Sequence, residues 1–171
     1  DLCIGFVGGE QIKRYEVALK PTVLVFPYET SGDTAELIPL RKLLRQFPLA
    51  YRYLVSNEDA LRHREHGKFA TSEDWHAFAR HQNLEVIREP KILTRDIIDS
   101  VAFALDKNGR FAFVTGYGIT LSPEYTYEPE YVLALLNSHL GDFALKQLNT
   151  FMRGGYVRVL SQYLEPIPIR R

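Results

Sequence analysis

The spacing of apolar residues along the chain alternates between the two-residue period of strands and the three- to four-residue period of helices. Residues 22–26 form a short apolar run that is rich in β-branched side chains and ends at Pro27, so we predict a strand there. The same reasoning predicts strands at residues 91–95, 101–105, 110–115 and 154–164. Asn108-Gly109 is a typical hairpin turn, so the two strands that flank it are expected to pair with each other.

Helical spacing dominates three other stretches of the sequence. Pro39 begins a predicted helix with an apolar face, and Pro48 ends that helix and begins a second one. Residues 72–82 are predicted to form a third helix, which Ser72 caps. Residues 128–149 are predicted to form one apolar helix or a broken pair of helices.

These elements predict an α+β fold with a mixed, partly antiparallel sheet and packed helices. The 171 residues fit a single domain, and 46% hydrophobic with 25% charged residues is an ordinary globular composition. The single cysteine excludes an intramolecular disulfide and suits a reducing compartment. No apolar run approaches the ~20 residues of a membrane helix. The chain opens without a signal peptide, so we expect a cytoplasmic protein and a piece of a longer polypeptide.

The net charge of the chain is zero, but the charged residues are unevenly distributed along it. Its 21 basic residues balance 21 acidic residues, which by itself argues mildly against a nucleic-acid partner. However, residues 41–95 contain 11 basic and 7 acidic side chains, and residues 143–171 contain 5 and 1, so each segment has a net charge of +4. Two basic segments can form one basic face, although ordinary solvated surface explains them equally well.

Catalytic patterns in the sequence are weak. Asp74, Glu89 and Lys91 loosely match the core of metal-dependent nucleases, in which carboxylates hold magnesium and a lysine orients water. A lysine at the head of a strand is the simpler explanation. The histidine pairs lack the spacing of a zinc site, and the phosphate-loop and serine-hydrolase motifs are missing. We therefore predict no catalytic residue and no metal site in this chain.

Binding chemistry is more evident in two segments that mix cations with aromatic residues. Residues 9–17 place Lys13, Arg14 and Tyr15 side by side. Residues 151–159 place Arg153 before two glycines, which allow the backbone to approach a ligand closely, and Arg158 follows. Because arginine pairs bidentately with phosphate or guanine, both segments suit a nucleic acid, and a basic loop beside a core strand is the alternative.

A series of short sequence landmarks extends this interpretation over most of the chain. They are, in order, GEQIKRY (9–15), KPTVLVFPYE (20–29), FP with YRYL (47–54), LRHR (61–64), Trp75, PKIL (90–93), YVLALLNSHL (131–140), RGG (153–155) and LEPIPI (164–169). The ordered set resembles the TaqI-like C-terminal specificity domain. That domain is the target-recognition domain of adenine-specific DNA methyltransferases in restriction–modification systems, including enzymes with a fused endonuclease.

The resemblance implies that methyl transfer takes place outside this chain. An N-terminal methyltransferase domain of the same polypeptide would bind S-adenosylmethionine and carry an Asn-Pro-Pro-Tyr motif, which this sequence lacks. Residues 1–171 are then expected to form one non-catalytic DNA target-recognition domain. The family's GxxTG-type start has no clear match in residues 5–9. We therefore expect that the first part of the recognition lobe is missing and that the isolated piece binds DNA weakly.

Charge and loop position select the residues that we expect to face double-stranded DNA. The predicted cations are Lys13, Arg14, Lys91, Arg95, Arg153 and Arg158, and the predicted base or sugar contacts are Tyr15 and Tyr117. Two alternatives stay open. One is a metal-dependent nuclease centred on Asp74, Glu89 and Lys91. The other is a module that docks onto a methyltransferase or endonuclease subunit through the apolar helix at 131–145.

Overall fold

A computed structural model describes residues 2–18, 22–122 and 124–169 of the chain. The chain folds into two compact units, which are residues 1–4 with 23–87 and residues 5–22 with 88–171. Strand β1 (Cys3–Val7) begins in the first unit and ends in the second. Both units combine helices with small sheets, which confirms the α+β class. The single recognition domain expected over residues 1–171 stays a prediction.

Among its described residues, the first unit contains the start of β1 and three further short strands, followed by three helices. Its elements are β4 (Val23–Val25), β5 (Tyr28–Ser31), β6 (Thr34–Leu37), α1 (Leu40–Gln46), α2 (Pro48–Ser56) and α3 (Glu58–Gly67). The predicted strand at 22–26 and the helix break at Pro48 are therefore confirmed. Lys20 and Pro21, which begin the second sequence landmark, lie outside the described residues. Leu43 and Leu54 anchor α1 and α2 in a core that also includes Trp75.

The predicted helix at 72–82 is wrong, because this segment consists of turns and irregular chain. Two arginines of α3 donate hydrogen bonds to backbone carbonyls of this segment. Arg62 Nη1 lies 2.9 Å from the carbonyl oxygen of Ser72, and Arg64 Nη2 lies 2.9 Å from that of Trp75. The guanidinium of Arg64 also stacks 4.4 Å from the ring centroid of Phe69. Side-chain donors thus satisfy carbonyls that a helix would have used internally.

The second unit is built around a three-stranded antiparallel sheet. Strand β7 (Lys91–Arg95) lies in the middle, between β11 (Gly116–Ile119) and β9 (Phe103–Asp106), and Thr94 is opposite both Tyr117 and Phe103. The remaining elements are β2 (Ile12–Lys13), β3 (Glu16–Val17), β8 (Ile97–Ile98), β10 (Phe111–Phe113), α4 (Pro129–Leu136), α5 (His139–Leu148), β12 (Val157–Arg158) and α6 (Ser161–Leu164). The predicted last strand at 154–164 is thus shortened to β12, because α6 follows it.

The hairpin predicted around Asn108-Gly109 is wrong, although the turn itself is present. Strand β9 pairs with β7, whereas β10 pairs in parallel with β1. Asp106 explains the separation, because its carboxylate accepts hydrogen bonds of 2.9 Å from the N–H groups of Arg110 and Phe111. Gly109 has a φ of +59°, and a Cβ there would lie 1.8 Å from the carbonyl oxygen of Arg88. This close backbone approach requires glycine.

The apolar segment at 128–149 forms the broken pair of helices, α4 and α5. The Ser138 hydroxyl caps α5 by accepting a hydrogen bond of 2.9 Å from the N–H of Gly141. Val132 and Leu136 of α4 and Leu145 of α5 pack on the sheet beside Phe103. The helices therefore cover one face of the sheet. The candidate DNA-binding residues lie at the ends of the strands and in the loops.

Candidate nucleic-acid interface

The turn between β2 and β3 carries three of the predicted DNA contacts, Lys13, Arg14 and Tyr15. All three side chains are exposed, and Tyr15 is 54% exposed. Tyr15 adopts a left-handed φ of +68°, and its N–H donates to the carbonyl oxygen of Phe103 over 2.8 Å. The turn is thus tied to the edge of β9, and it presents a cation and an aromatic ring to solvent.

Asn137 connects this turn to the helices. Its buried side-chain amide donates to the carbonyl oxygen of Phe103 over 2.8 Å and accepts from the N–H of the same residue over 3.0 Å. Its own carbonyl oxygen accepts a hydrogen bond from the guanidinium of Arg14. Arg14 is therefore partly committed to the fold. Asn137 was not predicted as a site residue, and its place between two helices in the YVLALLNSHL landmark was the available signal.

The loop at residues 151–156, which we call the 151–156 loop, presents Arg153 at the tip of a turn. The N–H of Gly155 donates to the carbonyl oxygen of Met152 over 3.1 Å, and the N–H of Met152 donates to that of Tyr156 over 2.7 Å. Gly154 and Gly155 have φ values of +87° and +82°, which disfavour other residues. The backbone therefore closes a tight turn that leaves Arg153 exposed.

Exposed apolar side chains surround Arg153 in the same loop. The exposed fractions are 57% for Phe151, 42% for Met152 and 44% for Tyr156. Arg153 was predicted as a DNA contact and these three side chains were not, because sequence alone does not separate an exposed aromatic residue from a core residue. A flexible cation between apolar side chains can contact both the phosphates and the bases of DNA.

Arg158, in β12, forms a two-point ion pair with Asp96. The Nε–Oδ1 distance is 3.2 Å and the Nη2–Oδ2 distance is 2.7 Å. The hydrogen bonds that Arg158 donates to the carboxylate of Asp96 raise the pKa of Arg158 above its usual value. The Arg158 side chain stays 50% exposed, so the pair orients the guanidinium without covering it.

Arg95 and Tyr117 lie at the ends of neighbouring strands, where β7 finishes and β11 starts. Arg95 is opposite Gly116 and is half-buried, and its Nε is buried without a hydrogen-bond partner among the described residues. Tyr117 is also half-buried and packs against the core under α4. Its ring lines a largely apolar cleft of about 710 Å³. The two residues therefore offer less accessible surface than the 151–156 loop.

Lys91 requires a correction to the predicted interface. Its side chain is 3% exposed, and its ammonium group lies 3.2 Å from Asp106 Oδ2 and 3.1 Å from the carbonyl oxygen of Glu89. Desolvation lowers the pKa of Lys91, and Asp106 opposes that shift. Because the ammonium group is buried and paired inside the fold, Lys91 does not face DNA in this structure.

The nuclease alternative gains no support from this geometry. The ammonium group of Lys91 pairs with Asp106 rather than being free to orient a water molecule. Within residues 2–18, 22–122 and 124–169, no group of three or more His, Cys, Asp or Glu side chains is arranged to hold a metal ion. Across the same ranges, the helices are too short or too polar to span a membrane.

The exposed cations, the aromatic residues beside them and the glycine turn define the chemistry of a nucleic-acid-binding domain. The family model of the TaqI-like C-terminal specificity domain matches residues 6–169, and the chain belongs to this family. Membership indicates DNA target recognition in restriction–modification systems, as one part of a larger enzyme. None of the curated proteins matches the chain.

Proposed function

We propose that this chain selects the target sequence of an adenine-specific DNA methyltransferase in a restriction–modification system. The observation that carries the proposal is the exposed 151–156 loop, with Arg153 at its tip, in a chain of the specificity-domain family. The methyltransferase domain of the same polypeptide binds S-adenosylmethionine and contributes the methyl-transfer residues. The role of this chain is to bind double-stranded DNA and to choose where methylation occurs.

The physical basis is a division between contacts that position DNA and contacts that read its sequence. Phosphate contacts set the register of a protein on the duplex, and contacts with base edges discriminate between sequences. The guanidinium of Arg153 is free to form a bidentate pair with a guanine in the major groove. Such contacts also offset the few kcal/mol that rotating an adenine out of the stack costs.

The remaining predicted residues divide between these roles. Lys13 and Arg158 suit phosphate contacts, because Lys13 is exposed and Arg158 is held half-exposed by Asp96. Tyr15 suits a base or sugar contact at the tip of its turn. Arg14, Arg95 and Tyr117 are partly engaged inside the fold, so we expect smaller effects from changing them.

The first experiment selects, from a library of duplexes with random sequence, those that bind to the chain. It then measures how the affinity for the enriched sequence depends on salt concentration. We expect a short preferred sequence that contains adenine, and affinity that falls steeply with salt. The double variant Arg14→Ala/Arg153→Ala should bind DNA more weakly and should discriminate less between the enriched sequence and other sequences. Lys107→Ala, which removes a charge that pairs with Glu130 on the surface, is a control with little expected effect.

The second experiment tests adenine specificity in the polypeptide that contains the methyltransferase domain. Transfer of a labelled methyl group from S-adenosylmethionine should place N6-methyladenine within the enriched sequence. Methylation at cytosine, or a site preference unaffected by the Arg14→Ala/Arg153→Ala variant, would contradict the proposal.

A second candidate function is docking onto the methyltransferase domain, and the outer face of α5 favours it. Leu140 and Phe143, three positions apart on this helix, are 71% and 60% exposed. The segment expected to dock, 131–145, spans parts of α4 and α5 rather than one helix. The two exposed apolar side chains both belong to α5. Leu140→Ser/Phe143→Ser should weaken association with the methyltransferase domain and leave the salt dependence of DNA binding intact. The reverse result would exclude docking at this face.

A further inference from the structure

Helix α1 of the first unit carries a basic surface that the proposed function does not use. Residues 37–57 contain four basic residues and no acidic residue. Arg41 and Arg45 of this segment are one helical turn apart, so they lie on the same face of α1. Leu43 is fully buried in the core of the unit, which fixes the rotation of the helix and directs the basic face outward.

The basic face forms one side of a cleft of about 340 Å³. Its lining consists of Pro39, Arg41, Lys42, Arg45 and Gln46. Lys42 pairs with Glu29 over 2.6 Å, and both side chains of that pair stay partly exposed. Among the described residues, no acidic side chain forms a salt bridge with Arg41 or Arg45.

These two arginines contrast with the arginines of α3 in the same unit. Arg62 and Arg64 donate to backbone carbonyls and hold the neighbouring segment in place. Arg41 and Arg45 are exposed, and they repel each other across one helical turn, with no carboxylate of the described residues in a salt bridge to either. An anion in the cleft would relieve this repulsion, and phosphate matches the planar donor fork of a guanidinium.

We propose that the α1 cleft binds phosphates of the DNA backbone and gives the first unit its own sequence-independent contact with DNA. The inference rests on the proposed function, since it assigns a second contact surface to the same duplex. The lining favours DNA over a protein partner, because its five residues are mainly cationic and include none of the aromatic or methionine side chains that protein interfaces favour.

The test compares two doubly substituted chains that lose the same charge. Arg41→Gln/Arg45→Gln removes the proposed phosphate contacts, and Lys68→Gln/Arg80→Gln removes two other exposed cations of the same unit. Binding of the full chain to a labelled duplex is measured by fluorescence anisotropy between 50 and 200 mM KCl. Circular dichroism and thermal unfolding verify that both variants fold.

We expect the Arg41→Gln/Arg45→Gln chain to lose about two units of the salt-dependence slope, since each phosphate contact contributes about 0.9. Its affinity for all sequences should fall by roughly the same factor, on the order of 10-fold, so the sequence preference stays unchanged. The Lys68→Gln/Arg80→Gln chain should retain most of the slope.

Three results would overturn the inference. A wild-type slope in the Arg41→Gln/Arg45→Gln chain, together with weakened binding of Arg153→Ala, shows that DNA does not occupy the cleft. Equal losses in both double variants show a general charge effect. A weakened complex with the methyltransferase domain at an unchanged slope identifies a protein occupant. Absence of any salt-dependent binding, both by the wild-type chain and by the polypeptide that contains the methyltransferase domain, instead refutes the proposed function itself.

Discussion

Lys91 in β7 and Arg153 in the 151–156 loop are both cations of the second unit that the sequence suggests for DNA contact. The structure uses them in opposite ways. Lys91 is buried against Asp106, whereas Arg153 projects from a turn with no ion pair among the described residues. The first unit repeats the contrast, because Arg64 is bound to backbone carbonyls and Arg41 is exposed. The presence of acceptors nearby therefore decides whether a cation supports the fold or is available to a ligand.

The largest expected effect is on stability and comes from Lys91→Met. Removal of one partner leaves the carboxylate of Asp106 buried without its counter-ion, which costs about 3–5 kcal/mol. Two backbone N–H groups still bond to that carboxylate, so we expect a value near the lower end. Urea unfolding measures the change. A loss below about 1 kcal/mol would mean that the ion pair does not form in solution.

Arg64→Ala is expected to have the next largest effect. The change removes the hydrogen bonds to the carbonyls of Trp75 and Ala77 and the stacking on Phe69. Hydrogen bonds to charged groups contribute about 1.5–3 kcal/mol, so we expect a loss of about 2 kcal/mol in unfolding free energy. Arg52→Ala, at an exposed position in α2, is the matched control and should change stability by less than about 0.5 kcal/mol. Equal losses in the two variants would remove the contrast between bound and exposed arginines.

Arg153→Ala should leave stability within about 0.5 kcal/mol of the wild type, because the side chain is exposed. Its effect is expected on recognition. Loss of one bidentate contact with a base relaxes discrimination at one base pair by about 1–3 kcal/mol. Competition between the enriched duplex and single-base variants measures this difference. Uniform weakening on every duplex would instead assign Arg153 to a phosphate.

Lys13→Ala is expected to have the smallest effect. The exposed ammonium group would contact one phosphate, so the salt-dependence slope should decrease by about 0.9 and the sequence preference should stay unchanged. Anisotropy titrations at several salt concentrations provide the measurement. A shifted sequence preference would show that the turn between β2 and β3 reads bases.

Elements with strong local signals were predictable from the sequence. The apolar runs at 22–26 and 91–95, the proline at position 48 and the break in 128–149 all correspond to elements of the structure. The failures occurred where side chains compete for backbone hydrogen bonds. The segment at 72–82 has a helical pattern, yet Arg62 and Arg64 occupy its carbonyls, and Asp106 occupies the N–H groups that a hairpin after Gly109 would use.

The candidate site was predictable to a smaller extent. The two glycines after Arg153 were predicted to allow a close approach of the backbone to a ligand, and the structure shows them in a turn that leaves the cation exposed. Lys91 was indistinguishable from an interface lysine, because Asp106 is 15 positions away and meets it only through the pairing of β7 with β9. The exposed ring of Phe151 and the buried amide of Asn137 were missed for the same reason.

The sequence by itself determined the α+β class, the family and the segments that carry cations, because all three depend on residue order and local spacing. The tertiary structure decided which cations are available to DNA. That outcome depends on whether an acceptor from elsewhere in the chain reaches each charge, as Asp106 reaches Lys91 and the carbonyls of Trp75 and Ala77 reach Arg64. Burial makes an unpaired charge costly, so pairing and exposure are settled only when the chain packs.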